Sequence, residues 1–322
     1  YNVKHVMNVT DVGHLTGDGD MGEDKMEFSA KQEKKSAYDV AAKHEQEFFT
    51  DLGRLNVLRP DVVLHATKTI DLQIALIQKL ETKSVTYKTS DGIYFDTSKF
   101  PRYGNLSGQK SIDKRPGGRI EVNKEKKYPT DFALWKFSQP ADQRQMEWPS
   151  PWGVGFPGWH IECSAMSMYE LGEQFDIHTG GVDHIAVHHE NEIAQSEAAT
   201  GKHPFVQVWM HGEFLNVDGG KMGKSLGNAY EIKDIIDRGF DPLAFRYLAL
   251  QSHYRSKMNF TWEALEGAQN ALRRLYSIAR LLPLSRISPP NKEGQGVVSA
   301  EFLKAINNDL NTPQALAAMC TM

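Results

Sequence analysis

The sequence predicts an α/β protein: a parallel sheet interrupted by an α+β insertion and followed by a mainly helical region. Three observations predict it. Apolar strands alternate with helical patterns up to residue 60 and again between 147 and 226. Between these stretches, one helical pattern gives way to short strands among turn residues, including Ser90-Asp91-Gly92, Pro116-Gly117-Gly118 and Tyr128-Pro129. After residue 230 the apolar spacing becomes mostly helical.

The elements follow in order. Val3 to Val9 alternates as an interior strand and runs through Thr10-Asp11 into a Gly/Asp-rich loop, Gly13 to Gly22. Ser36, with Asp39 three residues on, caps a helix to Leu55 whose stripe is Tyr38, Ala41, Phe48, Leu52 and Leu55. Ile70 to Leu80 is helical, and Lys124, Lys126 and Lys127 make a small basic cluster. Trp148, Trp152, Phe156 and Trp159 stand among glycines ahead of a helix from His160 to Leu171. Phe175 to His178 forms a short strand leading into Thr179-Gly180-Gly181, and a helix from His188 ends at Gly201, its C-cap. Phe214 to Val217 is a strand, and Pro283 to Gly296 a linker rich in Pro, Gly and Ser. The first residue is Tyr and the last stretch, Ala315 to Met319, is an uncapped helical pattern; both ends look cut, as in a piece of a longer protein.

Composition narrows the function classes. With 322 residues, 40% apolar and 24% charged, the chain is neither fibrous nor wholly disordered. No apolar run reaches the ~18 residues of a membrane span, and no signal peptide opens the chain. Two cysteines, Cys163 and Cys320, make no disulfide framework and fit a reducing cytoplasm. The net charge is −4, so a nucleic-acid partner has to be held by local basic patches.

Seven of the twelve histidines lie between His160 and His211. His188 and Glu192 stand at i, i+4, one turn apart on one helix face, and Cys163 lies on the preceding helix. A thiolate, an imidazole and a carboxylate converging on one point suit Zn²⁺, and three protein ligands leave the open position of a catalytic ion. The competing reading is a buried core thiol beside a solvated His/Glu pair.

A second candidate is the loop Asp218-Gly219-Gly220-Lys221-Met222-Gly223-Lys224-Ser225 after a strand. Its glycines and two lysines suit a polyphosphate; an ordinary solvated turn is the alternative. A Walker loop fails by one residue, because Asp218 stands where glycine is needed. Gly17, Gly19 and Gly22 satisfy G-x-G-x-x-G, but Asp18 and Asp20 would repel a pyrophosphate, and the EF-hand order is absent. That loop reads as a solvated acidic segment.

Taken together, these residues resemble the cysteinyl-tRNA synthetases, a family of class I aminoacyl-tRNA synthetases. The matching stretches are NVTD (Asn8 to Asp11), LNVLRP (Leu55 to Pro60), DFALWK (Asp131 to Lys136) and WPSPWG (Trp148 to Gly153). They continue with PGWHIECSAM (Pro157 to Met166), FDIHTGG (Phe175 to Gly181), HHENEIAQS (His188 to Ser196), KMGKSLGN (Lys221 to Asn228) and SHYRS (Ser252 to Ser256).

The resemblance implies a class I synthetase nucleotide-binding, Rossmann-like parallel sheet with the α+β insertion. It divides the chain into 1–60, part of the catalytic domain; 61–146, the inserted connective module; 147–210, the second half with the zinc site; 211–290, the lysine loop and a helical stem-contact region; and 291–322, a linker and the start of a helical bundle. It implies one Zn²⁺ held by Cys163, His188, Glu192 and a cysteine upstream of this chain. The family's His-Ile-Gly-His signature also falls upstream, so about 60 residues are expected to precede Tyr1, and this chain alone is expected to be inactive. Gly223 replaces the usual serine of the loop, and the Gly13 to Gly22 segment looks like an insertion.

The implied reaction activates L-cysteine with ATP and Mg²⁺ and transfers the cysteinyl group to tRNA(Cys), in a cytoplasmic monomer. Lys224 and Lys221 are the expected catalytic residues and, with Ser225, the ATP contacts. Thr10, Trp159 and Asp183 are implied to line the cysteine pocket; otherwise they read as a strand-end threonine, a core tryptophan and a turn aspartate. Two rivals remain: a cysteine ligase of thiol-cofactor biosynthesis on the same fold, and a non-catalytic paralogue.

Overall fold

The computed structural model describes residues 2–13, 25–108, 123–139, 144–281 and 300–320. Most of the Gly13 to Gly22 loop and all of the Pro283 to Gly296 linker lie outside the described residues. The chain divides into two compact units. One comprises Tyr1–Phe49 with Arg59–Met210; the other comprises Thr50–Leu58 with His211–Met322.

In chain order the first unit begins with β1 (Val6–Val9), α1 (Lys25–Glu33), α2 (Ala37–Arg54, whose last turn belongs to the second unit) and β2 (Val62–His65). β1 and β2 pair in parallel, Val6 opposite Val62 through Val9 opposite His65. This is the parallel pairing expected of an α/β chain, with the crossover running through α2. Ser36 does cap α2: its hydroxyl accepts from Asp39 N at 3.1 Å, and the Asp39 carboxylate accepts from Ser36 N at 3.4 Å. β2 therefore belongs with the first strand, not with the antiparallel strands that follow it.

Next come α3 (Ile70–Thr82), β3 (Thr86–Lys88), β4 (Gly92–Phe95), β5 (Phe132–Phe137) and β6 (Gly155–Pro157). The four strands form one antiparallel sheet in that order, with a bulge at Ile93/Tyr94. The α+β insertion thus draws its last strand from beyond residue 146. α4 (Trp159–Leu171), β7 (Phe175–Gly181), α5 (His188–Thr200) and β8 (Val206–Gly212, whose last two residues belong to the second unit) follow. β7 pairs with β8 and extends three residues past the predicted His178, taking in Thr179-Gly180-Gly181. α5 ends where Gly201 turns left-handed (φ 74°) and bonds back to the Glu197 carbonyl at 2.8 Å.

The main core joins α3, the antiparallel sheet, α4 and α5: Ile77, Leu80, Phe95, Leu134, Trp135, Ile161 and Ala194 are fully enclosed. Beside it, Lys136 lies buried with its Nζ 2.5 Å from Asp91 Oδ2 and 3.1 Å from the Tyr94 hydroxyl. The basic cluster is engaged within the same module, with Lys126 over the Tyr94 ring at 5.5 Å and Lys127 over Tyr87 at 4.4 Å.

The second unit contains β9 (Leu215–Val217), β10 (Gly220–Lys221), α6 (Ile232–Asp237), α7 (Pro242–Leu250), β11 (Met258–Phe260), α8 (Trp262–Leu281), α9 (Ala300–Ile306) and α10 (Thr312–Cys320). β9 is central, antiparallel to β10 and parallel to β11. Val217, Ile235, Ala244, Leu248, Phe260 and Leu265 form its core. Asp309, left-handed at φ 52°, is bound through Oδ1 by the Tyr254 hydroxyl at 2.5 Å and through Oδ2 by Arg255 Nε at 2.6 Å, anchoring the segment between α9 and α10 to the SHYRS stretch.

Burial alone would raise the Asp91 carboxyl, but the Lys136 ammonium and the Thr89 hydroxyl outweigh it and hold it below the ordinary value. A depressed carboxyl contributes stability above its ordinary pKa and loses it as pH falls through the depressed one. Asp91→Ala, which strands a buried ammonium, is expected to destabilise the protein by about 2–3 kcal/mol at neutral pH. In urea unfolding, the gap between wild type and variant should shrink on acidification; a constant gap would refute the pairing.

Candidate metal centre and lysine loop

The metal site is built by α4 and α5. α4 places Cys163 one turn after Trp159, with the thiol buried. The Asn8 side-chain amide of β1 donates to its Sγ at 3.2 Å. Burial pushes the Cys163 thiol well above its ordinary value, Glu192 and Glu162 push it further, and only Asn8 opposes them. α5 contributes His188 and Glu192, whose Nε2 and Oε1 lie 3.0 Å apart. The other face of His188 meets His160, Nδ1 to Nδ1 at 2.9 Å, which leaves Nε2 directed at Glu192. Donor atoms of Cys163, His188 and Glu192 all lie within 4.8 Å of one another. The structure therefore brings together the three residues proposed from sequence.

These residues fit a divalent ion. Glu192 has no exposed surface, and its Oε1 receives no well-aligned hydrogen bond, so a lone pair is left where water cannot reach it. Burial would raise this carboxyl; His178 and His188 outweigh that and hold it well below the usual range. A thiol, an imidazole and a buried carboxylate make a donor set that Zn²⁺ accepts.

Sequence reasoning missed the imidazoles around this triad. His178 Nε2 meets Glu192 Oε2 at 3.0 Å, and donor atoms of His178, His189 and Glu192 form a second group within 4.8 Å. His184 and His189 pack edge-on, with centroids 5.2 Å apart. Burial drives the His189 imidazole down to about 3; Glu192 opposes this and the neighbouring imidazoles add to it, so the ring is neutral at neutral pH. The histidine clustering was the available signal, but only the i, i+4 pair carried a geometry.

The three residues implied for the amino-acid pocket fall as follows. Trp159 lays its ring on His188, centroids 4.2 Å apart, and against His184 at 5.5 Å. Asp183 is exposed on the single turn Val182–His184 that leads toward α5. Thr10 is exposed just past β1, two residues beyond Asn8.

The lysines belong to the second unit. β9 and β10 are joined by Asp218 (φ 48°) and Gly219 (φ 76°), two left-handed residues that make a tight hairpin and explain why Asp218 stands where a Walker glycine would. Beyond it, the Asn228 side chain accepts from Gly223 N at 2.9 Å and donates to the Lys221 carbonyl at 3.0 Å, bracing the loop. Lys221, Lys224 and Ser225 are all exposed. At Gly223 the backbone is extended, and a Cβ would meet nothing nearer than Leu226 at 3.8 Å, so a serine would fit.

Comparison with known proteins agrees with the fold. Methionyl-tRNA synthetase of Mycobacterium tuberculosis, solved with methionyl-adenylate, superposes with a TM-score of 0.62 over 97% of this chain and 72% of its own, at 14% identity. Residues 1–270 match the family described as tRNA synthetases class I (C) catalytic domain, and the chain belongs to that family. Its curated relatives include the cysteine–tRNA ligase of Treponema denticola, 44% identical over 99% of this chain and 69% of the relative. Cysteine–tRNA ligase 1 of Burkholderia lata is 50% identical over 99% and 66%. The Thermus thermophilus cysteine–tRNA ligase is 43% identical over 99% and 67%, so the chain spans about two thirds of these relatives.

The imidazoles pack against the bare backbone of β7. A Cβ on Gly180 would stand 2.5 Å from His189 Cε1 and 2.9 Å from His184 Nδ1. Gly180→Ala is therefore expected to displace both rings and cost about 1–3 kcal/mol in denaturant unfolding. Gly212→Ala, which meets open space, should stay within about 0.5 kcal/mol of wild type. Equal effects would refute the close approach.

Proposed function

We propose that this chain carries the amino-acid-activating centre of a cysteine–tRNA ligase, acting as a cytoplasmic monomer. The observation that carries the reading is the convergence of Cys163, His188 and Glu192 in a chain of this family. Cytoplasmic residence is in keeping with a cysteine-poor chain in which no described helix is long and apolar enough to cross a membrane.

In the first step, a carboxylate oxygen of L-cysteine attacks the α-phosphorus of ATP, held with Mg²⁺. The α–β bridging bond breaks, and pyrophosphate leaves with its electron pair. In the second, a 3′-terminal ribose hydroxyl of tRNA(Cys) attacks the carbonyl carbon of the adenylate, loses its proton and releases AMP. Neither step needs a protein nucleophile; positioning and charge stabilisation dominate. Lys224, with Lys221 beside it, offsets the charge growing on pyrophosphate, and Ser225 supplies a hydroxyl to the phosphates. Asp183 offers a carboxylate to the substrate ammonium, while Trp159 and Thr10 flank the side-chain pocket.

Cys163, His188 and Glu192 would hold a zinc ion, which when bound supplies a soft Lewis acid for the substrate thiolate. A plain pocket separates isosteres by only about 10²-fold, so a thiol-selective donor set accounts for discrimination against serine that shape alone cannot give.

Two measurements test this on the full-length protein. Lys224→Ala is expected to cut cysteine-dependent pyrophosphate exchange about 10²–10³-fold with little change in cysteine KM; an unaltered rate refutes its role. Cys163→Ala should lose most of the zinc measured by elemental analysis; unchanged zinc refutes the ligand assignment. Exchange without transfer to tRNA would instead favour a cysteine ligase for another acceptor.

A further inference from the structure

Glu192 divides its two oxygens between different elements. Oε1 faces His188 Nε2 at 3.0 Å on its own helix, and Oε2 faces His178 Nε2 at 3.0 Å from β7. If Oε1 serves a metal with Cys163 and His188, Oε2 remains paired with His178.

The His178 ring is fixed on several sides. It stacks on Trp209 of β8, centroids 4.8 Å apart and planes 20° from parallel, and lies 4.8 Å from the His189 ring. Phe175 approaches at 5.9 Å, and the Thr179 carbonyl lies 3.3 Å from Nδ1. A ring held this way does not follow the carboxylate if the carboxylate swings. Both oxygens of a free carboxylate could chelate one ion, or the group could rotate away. A fixed donor on Oε2 prevents each, leaving Oε1 as a single ligand at a defined angle. Partners that orient metal-bound groups typically contribute about 10–100-fold in metal affinity.

We propose that His178 is a positioning residue for the metal centre: its Nε2–H holds Glu192 Oε2 so that Oε1 alone faces Cys163 and His188. The proposal rests on the reading of Cys163, His188 and Glu192 as metal ligands. His178 itself stays off the metal.

The test uses full-length protein and two probes, zinc affinity by chelator competition and the visible spectrum of the cobalt-substituted form. His178→Ala is expected to weaken zinc about 10–100-fold and alter the cobalt bands, with Cys163→Ala as the control that loses the ion. His178→Gln, whose amide N–H can replace the donor, is expected to recover most of both. If the alanine variant does not fold, His178→Met fills the space against Trp209 without donating a hydrogen bond and takes its place. Wild-type affinity and spectrum in the donor-less variant would overturn the proposal, as would a glutamine variant no better than it. Two zinc equivalents in wild type, one lost on changing His178 and the other on changing Cys163, would also overturn it by making His178, His189 and Glu192 a site of their own. Absence of zinc from wild type would instead overturn the metal reading beneath it.

Discussion

The carboxylate of Glu192 is the constraint around which the first unit is organised. It has no exposed surface and sits between two imidazoles, one from its own helix and one from β7. A carboxylate taken out of water without compensation costs several kcal/mol. β7 and α5 must therefore be held at a fixed spacing, and much of the surrounding chemistry serves that end. Gln195 of α5 donates to the His160 carbonyl at 2.5 Å and to the Ser164 hydroxyl at 2.7 Å, and Ser196 pairs with Ser164 at 2.9 Å. These bonds lock α5 to the helix that carries Cys163.

The same logic extends along α5, which is polar yet almost wholly buried. Glu190 accepts from the backbone amides of Gly104 and Ser107, at 2.8 and 2.9 Å. Asn191 accepts from the Tyr103 hydroxyl at 2.6 Å. Burial raises the Tyr103 phenol, and Glu190 raises it further, so it stays a donor at any ordinary pH. Glu197 takes the Arg102 guanidinium at 2.8 Å and the Phe205 amide at 3.0 Å. A buried polar helix of this kind specifies one register against its neighbours, because a slip would leave several charges unpaired at once. The lysine loop of the second unit is built the opposite way. Its cations are exposed and its backbone is braced by one asparagine, a form suited to a highly charged ligand that comes and goes.

The helices were legible because their signals are local. Ser36 and Asp39 announce the start of α2, and Gly201 the end of α5. The i, i+4 spacing of His188 and Glu192 gave a geometry that needs only the helix to be true. What was not legible depends on contacts distant in sequence. Asn8 reaches Cys163 across 155 positions, and nothing in NVTD says so. His178 reaches Glu192 from β7, 14 positions away, and the helix spacing of His188 and Glu192 does not place a third imidazole there. Gly180 sits in the strand not for its backbone freedom but for its missing side chain, whose place the imidazoles take. The Asp218-Gly219 hairpin likewise looked like a failed phosphate loop until β10 closed it.

Charge balance links these observations to the proposed chemistry. Burial with Glu192 and Glu162 nearby keeps the Cys163 thiol protonated in the metal-free protein. Two negative groups side by side in a dry pocket would be unstable, so thiolate and carboxylate can coexist there only if a cation joins them. A divalent cation balances the thiolate of Cys163 and the carboxylate of Glu192, so the pair becomes stable in the pocket once an ion is bound. The burial that forces Glu192 to be paired is thus the burial that makes the proposed ion necessary, and a soft thiolate is the substrate group such an ion would favour over a hydroxyl.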